Sequence, residues 1–309
     1  MLLASVITAS AIFAQCDSTN QSVQTSISQP APTIVEVAAS NPDFSTLVAA
    51  INAAELTETL AGPGPFTVFA PTNAAFAKLK PGTVEMLVKP ENKQALTDIL
   101  TYHVVPGNMP ASKVMSTNGG QTAGGRWVQF SRSGDAVMVD DAKVVTADIV
   151  CKNGTIHVID TVMMPSDASI VKTAKEAGSF KTLLAAAQAA GLAETLDTKG
   201  PFTVFAPTDD AFNALGKETI ANLLKPENRD QLATILKHHV VAGRVYSPTA
   251  VSAGSATSLA GTTLPITVQS NGAMVGKAKI IATDIDTSNG VIHVIDRVMI
   301  PTMKTTQSN

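Results

Sequence analysis

Two histidines and two aspartates are the side chains whose positions first suggest chemistry in this sequence of 309 residues. His157 and Asp160 lie in the octapeptide Asn-Gly-Thr-Ile-His-Val-Ile-Asp, and His293 and Asp296 lie in Asn-Gly-Val-Ile-His-Val-Ile-Asp. The two histidines are separated by 293 − 157 = 136 residues. A histidine and a nearby carboxylate could act as a general base and acid, provided that the fold brings a substrate to both.

The rest of the sequence does not complete such a site. Two histidines recur in each half of the chain, without the spacing of metal ligands, whereas zinc needs three or four ligands converging at about 2 Å. The sequence has no Gly-x-Ser-x-Gly motif, no phosphate-binding glycine loop and no His-Glu-x-x-His motif. We therefore predict no catalytic residue, no metal and no cofactor. We assign structural roles to four residues: His157, Asp160, His293 and Asp296. The histidines are expected to bond to backbone or neighbouring groups, and the aspartates to cap a turn or pair with a donor.

The elements that position these residues follow from the apolar pattern. Each octapeptide reads as an Asn-Gly turn followed by a strand. Residues 66–70 predict an earlier buried strand, and Thr72 is placed to be the N-cap of the helix that follows it. Residues 91–100 predict an amphipathic helix, and Cys151 is expected in a loop. Further strands are predicted at residues 127–130, 136–139, 142–147 and 161–164.

The spacing of 136 residues holds along most of the chain. The nonapeptide at residues 64–72 occurs again at residues 200–208 without substitution, and Asp148 has its counterpart in Asp284. Because helices cluster early in each repeat and strands late, we predict an α+β fold with an antiparallel or mixed sheet covered by helices. The predicted segments are a signal peptide (1–14), a flexible leader (15–32), a first domain (33–165), a linker (166–168), a second domain (169–302) and a polar tail (303–309).

Composition narrows the possible partners. A net charge of −3 and an aromatic content of 4% provide neither the basic surface nor the stacking platforms that nucleic acids require. The two cysteines, Cys16 and Cys151, cannot form a disulfide framework. No transmembrane segment is predicted in the mature chain, because the apolar run at the N-terminus is too short.

Three landmarks in fixed order resemble the fasciclin (FAS1) family. They are the strand Phe-Thr-Val-Phe-Ala-Pro-Thr, a His-Val near the middle of each repeat, and the octapeptide near its end. The resemblance covers both repeats. It implies a β-sandwich or wedge of about seven strands with a layer of α-helices in each domain, and use in adhesion without known catalysis. The two-module plan is typical of an exported bacterial protein.

The resemblance also implies two partner-binding segments, which in animal members are linked to integrin or matrix binding. One is the Tyr-His pair, and the other is an Asp-Ile pair before the Asn-Gly turn. The Glu-Pro that precedes Asp-Ile in the animal motif is absent here, which argues against integrin recognition. The residues that match are Tyr102, His103, Asp148 and Ile149 in the first repeat, and His238, His239, Asp284 and Ile285 in the second.

The expected function is therefore a non-enzymatic adhesion or extracellular-matrix interaction, with an extracellular protein or polysaccharide as partner. The expected location is secreted, periplasmic or attached to the cell surface. An alternative is a periplasmic or extracellular binder of a small or lipidic ligand, held in a cleft between helices and sheet. A closed apolar pocket or a co-purified ligand would distinguish the alternative from adhesion.

Overall fold

The computed structural model describes residues 31–270 and 272–301. The predicted signal peptide, nearly all of the predicted leader and the predicted tail lie outside the described residues. None of the helices in the described part of the chain is long and apolar enough to cross a membrane.

Local sequence accounts for where the main elements begin. Thr33 forms a capping box with Glu36 and starts the first helix. Thr72 accepts a hydrogen bond from the amide of Ala75, so the predicted N-cap is confirmed. Thr208 caps the equivalent helix in the same way, through the amide of Ala211.

In the described residues, each repeat has seven α-helices. The helices of the first are α1 (Ile34–Ser40), α2 (Ser45–Ala53), α3 (Thr57–Ala61), α4 (Asn73–Ala77), α5 (Thr83–Leu87), α6 (Lys93–Tyr102) and α7 (Ala111–Ser116). Those of the second are α8 (Ile170–Ala177), α9 (Lys181–Ala189), α10 (Ala193–Thr198), α11 (Asp209–Asn213), α12 (Lys217–Leu223), α13 (Arg229–His238) and α14 (Ser247–Ala253).

Over the same part of the chain, each repeat has seven strands. Those of the first are β1 (Phe66–Pro71), β2 (Val104–Pro106), β3 (Gly119–Gln121), β4 (Trp127–Ser133), β5 (Ala136–Val139), β6 (Ala142–Cys151) and β7 (Gly154–Ile159). Those of the second are β8 (Phe202–Pro207), β9 (Val240–Ala242), β10 (Ser255–Thr257), β11 (Thr263–Gln269), β12 (Gly272–Val275), β13 (Ala278–Thr287) and β14 (Gly290–Ile295).

The strands of each repeat form one mixed sheet, in the order β2-β1-β7-β6-β5-β4-β3 and its equivalent β9-β8-β14-β13-β12-β11-β10. Among the described strands, only β1 with β7, and β8 with β14, pair in parallel. The sheet curls so that its ends approach each other, since the amide of Ala123 donates to the carbonyl of Val104 at 2.7 Å. The predicted α+β fold with about seven strands and a helical layer is confirmed.

The parallel pair lies at the centre of each domain. In β7, Ile156 and Val158 belong to a core formed with the helices, while Ile159 belongs to a second core inside the curled sheet with Phe69 and Phe130. Both faces of β7 are therefore buried, which explains its continuous apolar run. Glycine is required at the start of this strand, because a Cβ on Gly154 would lie 1.9 Å from the carbonyl oxygen of Phe66.

Two local predictions are wrong. Residues 161–164 form no strand, because β7 ends at Ile159 and the chain then leaves the sheet. Cys151 is the last residue of β6 and is buried, not part of a loop. The sequence pattern missed this because β6 continues through an irregular stretch that interrupts its alternation.

Candidate functional site

The histidine of β7 joins two segments of backbone. Nδ1 of His157 accepts a hydrogen bond from the amide of Asp148 at 3.2 Å, and Nε2 lies 2.8 Å from the carbonyl oxygen of Met109. Because a carbonyl can only accept, the proton of the neutral ring lies on Nε2. The ring also stacks on Phe69, with centroids 5.5 Å apart. His293 makes the same contacts in the second domain, with Asp284, Val245 and Phe205.

His103 has the opposite tautomer. Its Nδ1 lies 2.8 Å from the carbonyl oxygen of Ile99, and its Nε2 accepts from the amide of Met163 at 3.0 Å. Burial lowers the pKa of His103 to about 4, and it does the same for His239, which has equivalent partners. Both nitrogens of each ring are used by backbone groups, so neither ring is available to a substrate.

Asp160 and Asp296 close a turn at the end of the central strand. Asp160 accepts from the amide of Lys143 at 2.9 Å and pairs with Lys78 at 3.1 Å. Burial would raise the pKa of Asp160, but these hydrogen bonds and one from Thr161 outweigh it and lower the pKa. Asp296 accepts from the amide of Lys279 and lies 3.3 Å from Arg297.

The Asp-Ile segments lie at an irregularity in β6 and β13. The register with the central strand shifts between Thr146 and Ile149, and Asp148 has a left-handed backbone with φ of 59°. This conformation, which aspartate tolerates better than most residues, turns the carboxylate of Asp148 towards the start of α7. Its Oδ1 accepts from the amide of Ala111 at 2.9 Å. Ile149 is half-buried against the helical core.

Asp284 is equivalent to Asp148 and has a φ of 60°. Its Oδ1 accepts from the amide of Ser247 at 2.7 Å, and its Oδ2 bonds to the hydroxyl of the same serine. Ile285 is half-buried against the core of the second domain.

Tyr102 lies where the two domains meet. It is buried, and its hydroxyl lies 2.8 Å from Oδ2 of Asp140 and 3.0 Å from the carbonyl oxygen of Trp127. Burial and the charge of Asp140 raise the pKa of Tyr102. A cavity of about 280 Å³ is lined by Tyr102 together with Asp284 and Ile285 of the second domain. The structure therefore brings the Tyr-His segment of one domain to the Asp-Ile segment of the other.

The main contacts between the domains come from residues that the sequence analysis did not single out. Arg126 pairs with Asp286 at 2.7 Å and also donates to the carbonyl of Ser166 at 2.9 Å. Trp127 stacks on Tyr246, with ring centroids 5.1 Å apart. Both side chains of the ion pair are largely shielded from solvent. Because a hydrogen bond between guanidinium and carboxylate depends on geometry, the pair favours one orientation of the two domains.

The four side chains at this contact are not repeated in the other domain, so a comparison of identical positions does not find them. At an offset of 136, Arg126 and Trp127 correspond to Thr262 and Thr263. At the same offset, Tyr246 corresponds to Pro110 and Asp286 corresponds to Val150. The contact between domains is thus built where the two repeats differ in charge or aromatic character.

Each of the two faces has a second copy, and in the described residues neither of these copies contacts the other domain. His238, the counterpart of Tyr102, bonds to the hydroxyl of Thr262 beside a surface pocket that Lys277 and Arg297 also line. Burial lowers the pKa of His238. In the first domain, a cavity of about 770 Å³ is lined by Asp148, Val150 and the Asn-Gly hairpin. Within residues 31–270 and 272–301, no group of three or more His, Cys, Asp or Glu side chains is placed to hold a metal ion.

The sequence model of the Fasciclin domain matches residues 42–165 and 178–301. The chain therefore belongs to the fasciclin domain family, and it carries two tandem fasciclin domains.

Relatives are found in bacteria and in animals. Protein sll1483 of Synechocystis is 51% identical over 154 residues, which are 49% of this chain and 85% of that protein. The immunogenic protein MPB70 of Mycobacterium bovis is 42% identical over 42% of this chain and 68% of its own length. The transforming growth factor-beta-induced protein ig-h3 of Sus scrofa is 31% identical over 78% of this chain, but the match spans 35% of that protein.

A solved structure of a FAS1 domain pair from the insect cell adhesion molecule Fasciclin I is also similar to this chain. It covers 82% of this chain and 92% of its own, with a TM-score of 0.43 and 17% identity.

Proposed function

We propose that this protein is a non-enzymatic adhesion or matrix-interaction protein that acts outside the cell, in the periplasm or at the cell surface. Its membership of the fasciclin domain family supports this proposal. The partner is an extracellular protein or polysaccharide. A non-catalytic role is consistent with His103, His157, His239 and His293, whose ring nitrogens all bond to backbone groups.

One observation carries the proposal. In the second domain, the face around Asp284 and Asp286 is in contact with another folded module, namely the first domain. Among the described residues, no other module contacts the equivalent face of the first domain, around Asp148 and Val150. Val150 is 76% exposed there, although it is a large apolar residue. A face that binds a protein module in one repeat is the best candidate for partner contact in the other.

Binding to immobilised matrix proteins, polysaccharides and cells from the native environment tests this proposal. We expect saturable binding that weakens several-fold when Val145 and Val150 are both changed to serine. Both side chains are exposed, so the melting temperature should stay the same. Val268→Ser, at an exposed valine of the second domain, is the matched control and should bind like the unaltered protein. Absence of saturable binding to every surface would refute the proposal.

A second candidate function is the binding of a small ligand. The cavity of about 770 Å³ in the first domain favours it, because that volume lies within the usual range of ligand sites. Its walls include Pro63, Pro65 and Pro110. Native mass spectrometry of the protein purified from its own source would reveal a co-purified ligand, and binding of that ligand should be lost when the cavity is filled.

A further inference from the structure

The cavity of the first domain occupies the space that an arginine fills in the second. Arg244 lies beside the Asn-Gly hairpin of its domain, and its guanidinium donates to the carbonyls of Thr287, Ser288 and Gly290 at 2.8 to 2.9 Å. It also pairs with Asp286 at 2.8 Å. At the same place in the first domain stands Asn108, whose side chain is much shorter.

The first domain has the same backbone carbonyls as those that bind Arg244, but there no side chain of the described residues donates to them. Their equivalents are the carbonyls of Cys151, Lys152 and Gly154, and all three residues line the cavity. No side chain of the described residues donates to these carbonyls, since Asn108 instead accepts from the hydroxyl of Thr155 at 2.9 Å. Three neighbouring carbonyls suit the planar, forked donor of a guanidinium better than a single ammonium.

A second acceptor is exposed on the wall of the same cavity. In the second domain, both carboxylate oxygens of Asp284 are occupied, by the amide and the hydroxyl of Ser247. Alanine replaces this serine in the first domain, as Ala111, so that only the amide remains as donor to Asp148. Oδ2 of Asp148 has no hydrogen-bond partner among the described residues, and this carboxylate supplies the negative charge of the cavity wall, where Val150 takes the place of Asp286.

One cation already lines the cavity. Lys152 contributes to its wall, but its charge also acts on Glu36. The pKa of Glu36 is lowered mainly by hydrogen bonds from Thr33 and in smaller part by Lys152. Glu36 thus offsets part of the charge of Lys152, although the two side chains form no ion pair within 4 Å.

We propose that this cavity is a binding site for a guanidinium group, the arginine side chain of a partner protein. The hairpin carbonyls of residues 151, 152 and 154 accept its hydrogen bonds, Asp148 neutralises its charge, and Val150 packs against its aliphatic part. The identity of the partner as a protein rests on the proposed adhesion function, whereas recognition of the guanidinium does not.

Titration of the whole chain with N-acetyl-arginine amide, followed through backbone amide resonances, tests the site. We expect saturable shifts centred on residues 148–155, and none near the equivalent hairpin at residues 284–291. The citrulline analogue has the same shape without the charge, and the lysine analogue has the charge without the fork. An equal response to either analogue, or no saturation with the arginine probe, would overturn the proposal.

Two variants make the test specific. Asn108→Arg with Thr155→Val reproduces the pair Arg244 and Val291 of the second domain, so it should fill the cavity and weaken binding of the probe at least tenfold. Val268→Ser, at an exposed valine of the second domain, is the control and should bind as before. Val150→Asp restores the carboxylate of Asp286 and should tighten binding about tenfold, the effect of one charge-assisted hydrogen bond.

The result separates this proposal from the adhesion function. Loss of adhesion on changing Val145 and Val150, with no binding of the arginine probe, would refute the guanidinium site alone. Binding of the probe without adhesion to any surface would refute the adhesion function and leave the guanidinium site standing.

Discussion

At the scale of single residues, the histidines act as two-ended connectors. His103 links α6 to the segment after β7, and His157 links the irregular part of β6 to the segment before α7. Each uses one nitrogen as donor and the other as acceptor, which only the neutral ring can do. The paired histidines of each domain have opposite tautomers, because their backbone partners are reversed in donor and acceptor character.

This requirement predicts that the protein loses stability in mild acid. Burial lowers the pKa of His103 and His239 to about 4, below the ordinary value of 6.5. Between these values, the unfolded chain binds protons that the folded protein does not, so stability is complete above about pH 6.5 and falls as the pH drops towards about 4. Each ring should contribute a loss of about 1.4 kcal/mol per pH unit in this window. Urea unfolding across the window measures it.

The matched variant replaces both rings by glutamine, which does not titrate. His103→Gln with His239→Gln should be less stable near neutral pH, since glutamine cannot reproduce both hydrogen bonds, but its stability should fall less steeply with acid. If the slope were unchanged, other groups would be responsible for the acid sensitivity.

At the scale of elements, the irregular part of β6 shows how a strand can position a helix. Pro110 precedes α7 and offers no side-chain acceptor, so the carboxylate of Asp148 binds the free amide of Ala111 instead. The left-handed conformation of Asp148 makes this contact possible. The residue that resembles a binding motif is therefore also part of the local framework.

We expect Asp148→Ala to lower the free energy of unfolding by about 2 kcal/mol. The change removes a helix cap and places alanine in a left-handed conformation, each of which costs about 1 kcal/mol. Asp148→Asn keeps the acceptor and tolerates that conformation, so its stability should change by less than about 0.5 kcal/mol. Chemical denaturation of the two variants measures the difference. Equal losses in both would show that the charge, not the cap, stabilises this region.

At the scale of the whole molecule, both domains belong to one compact unit, and their contact is asymmetric. The Tyr102 face of the first domain meets the Asp284 face of the second. One copy of each face is therefore used between the domains, and the other copy contacts neither domain in the part of the chain that the structure describes. The other copies of these faces have different residues at the positions of the four contact residues, namely Arg126, Trp127, Tyr246 and Asp286. The described residues therefore do not contain a second set of these contacts.

The ion pair should determine the relative orientation of the domains. Asp286→Val leaves Arg126 and Arg244 without their shared carboxylate and should cost about 3–5 kcal/mol, as for other largely buried pairs. The triple variant Arg126→Thr, Arg244→Asn and Asp286→Val uses the residues of the equivalent positions. It should keep both domains folded while small-angle scattering shows a more extended particle.

A control shows whether the effect is specific to the interface. Glu55→Gln removes a close but exposed ion pair with Lys93, which should contribute little to stability. Scattering from this variant should match that of the unaltered protein. An unchanged scattering profile for the triple variant would show that the stacking of Trp127 on Tyr246 is sufficient to hold the domains.

Much of the fold could be predicted from local patterns. The apolar runs, the Asn-Gly turns and the repeat at 136 residues led to two α+β domains of the fasciclin family, and Thr72 was identified as a cap from its position alone. These features depend on residues close in sequence, whose preferences act within one element. The strand expected at residues 161–164 failed, because an apolar segment can pack against a core without pairing.

The histidine and aspartate of each octapeptide illustrate which features follow from sequence and which require the tertiary structure. Their types and spacing were sufficient to predict a repeated module without a recognisable catalytic or metal motif. Only the tertiary structure decided that Tyr102 faces the second domain, that Asp148 caps α7 and that Asn108 leaves a cavity where Arg244 fills one. The reason is physical: these contacts join residues far apart in sequence. Those of Tyr102 and Asn108 also depend on positions where the two repeats differ, which a search for identical motifs passes over.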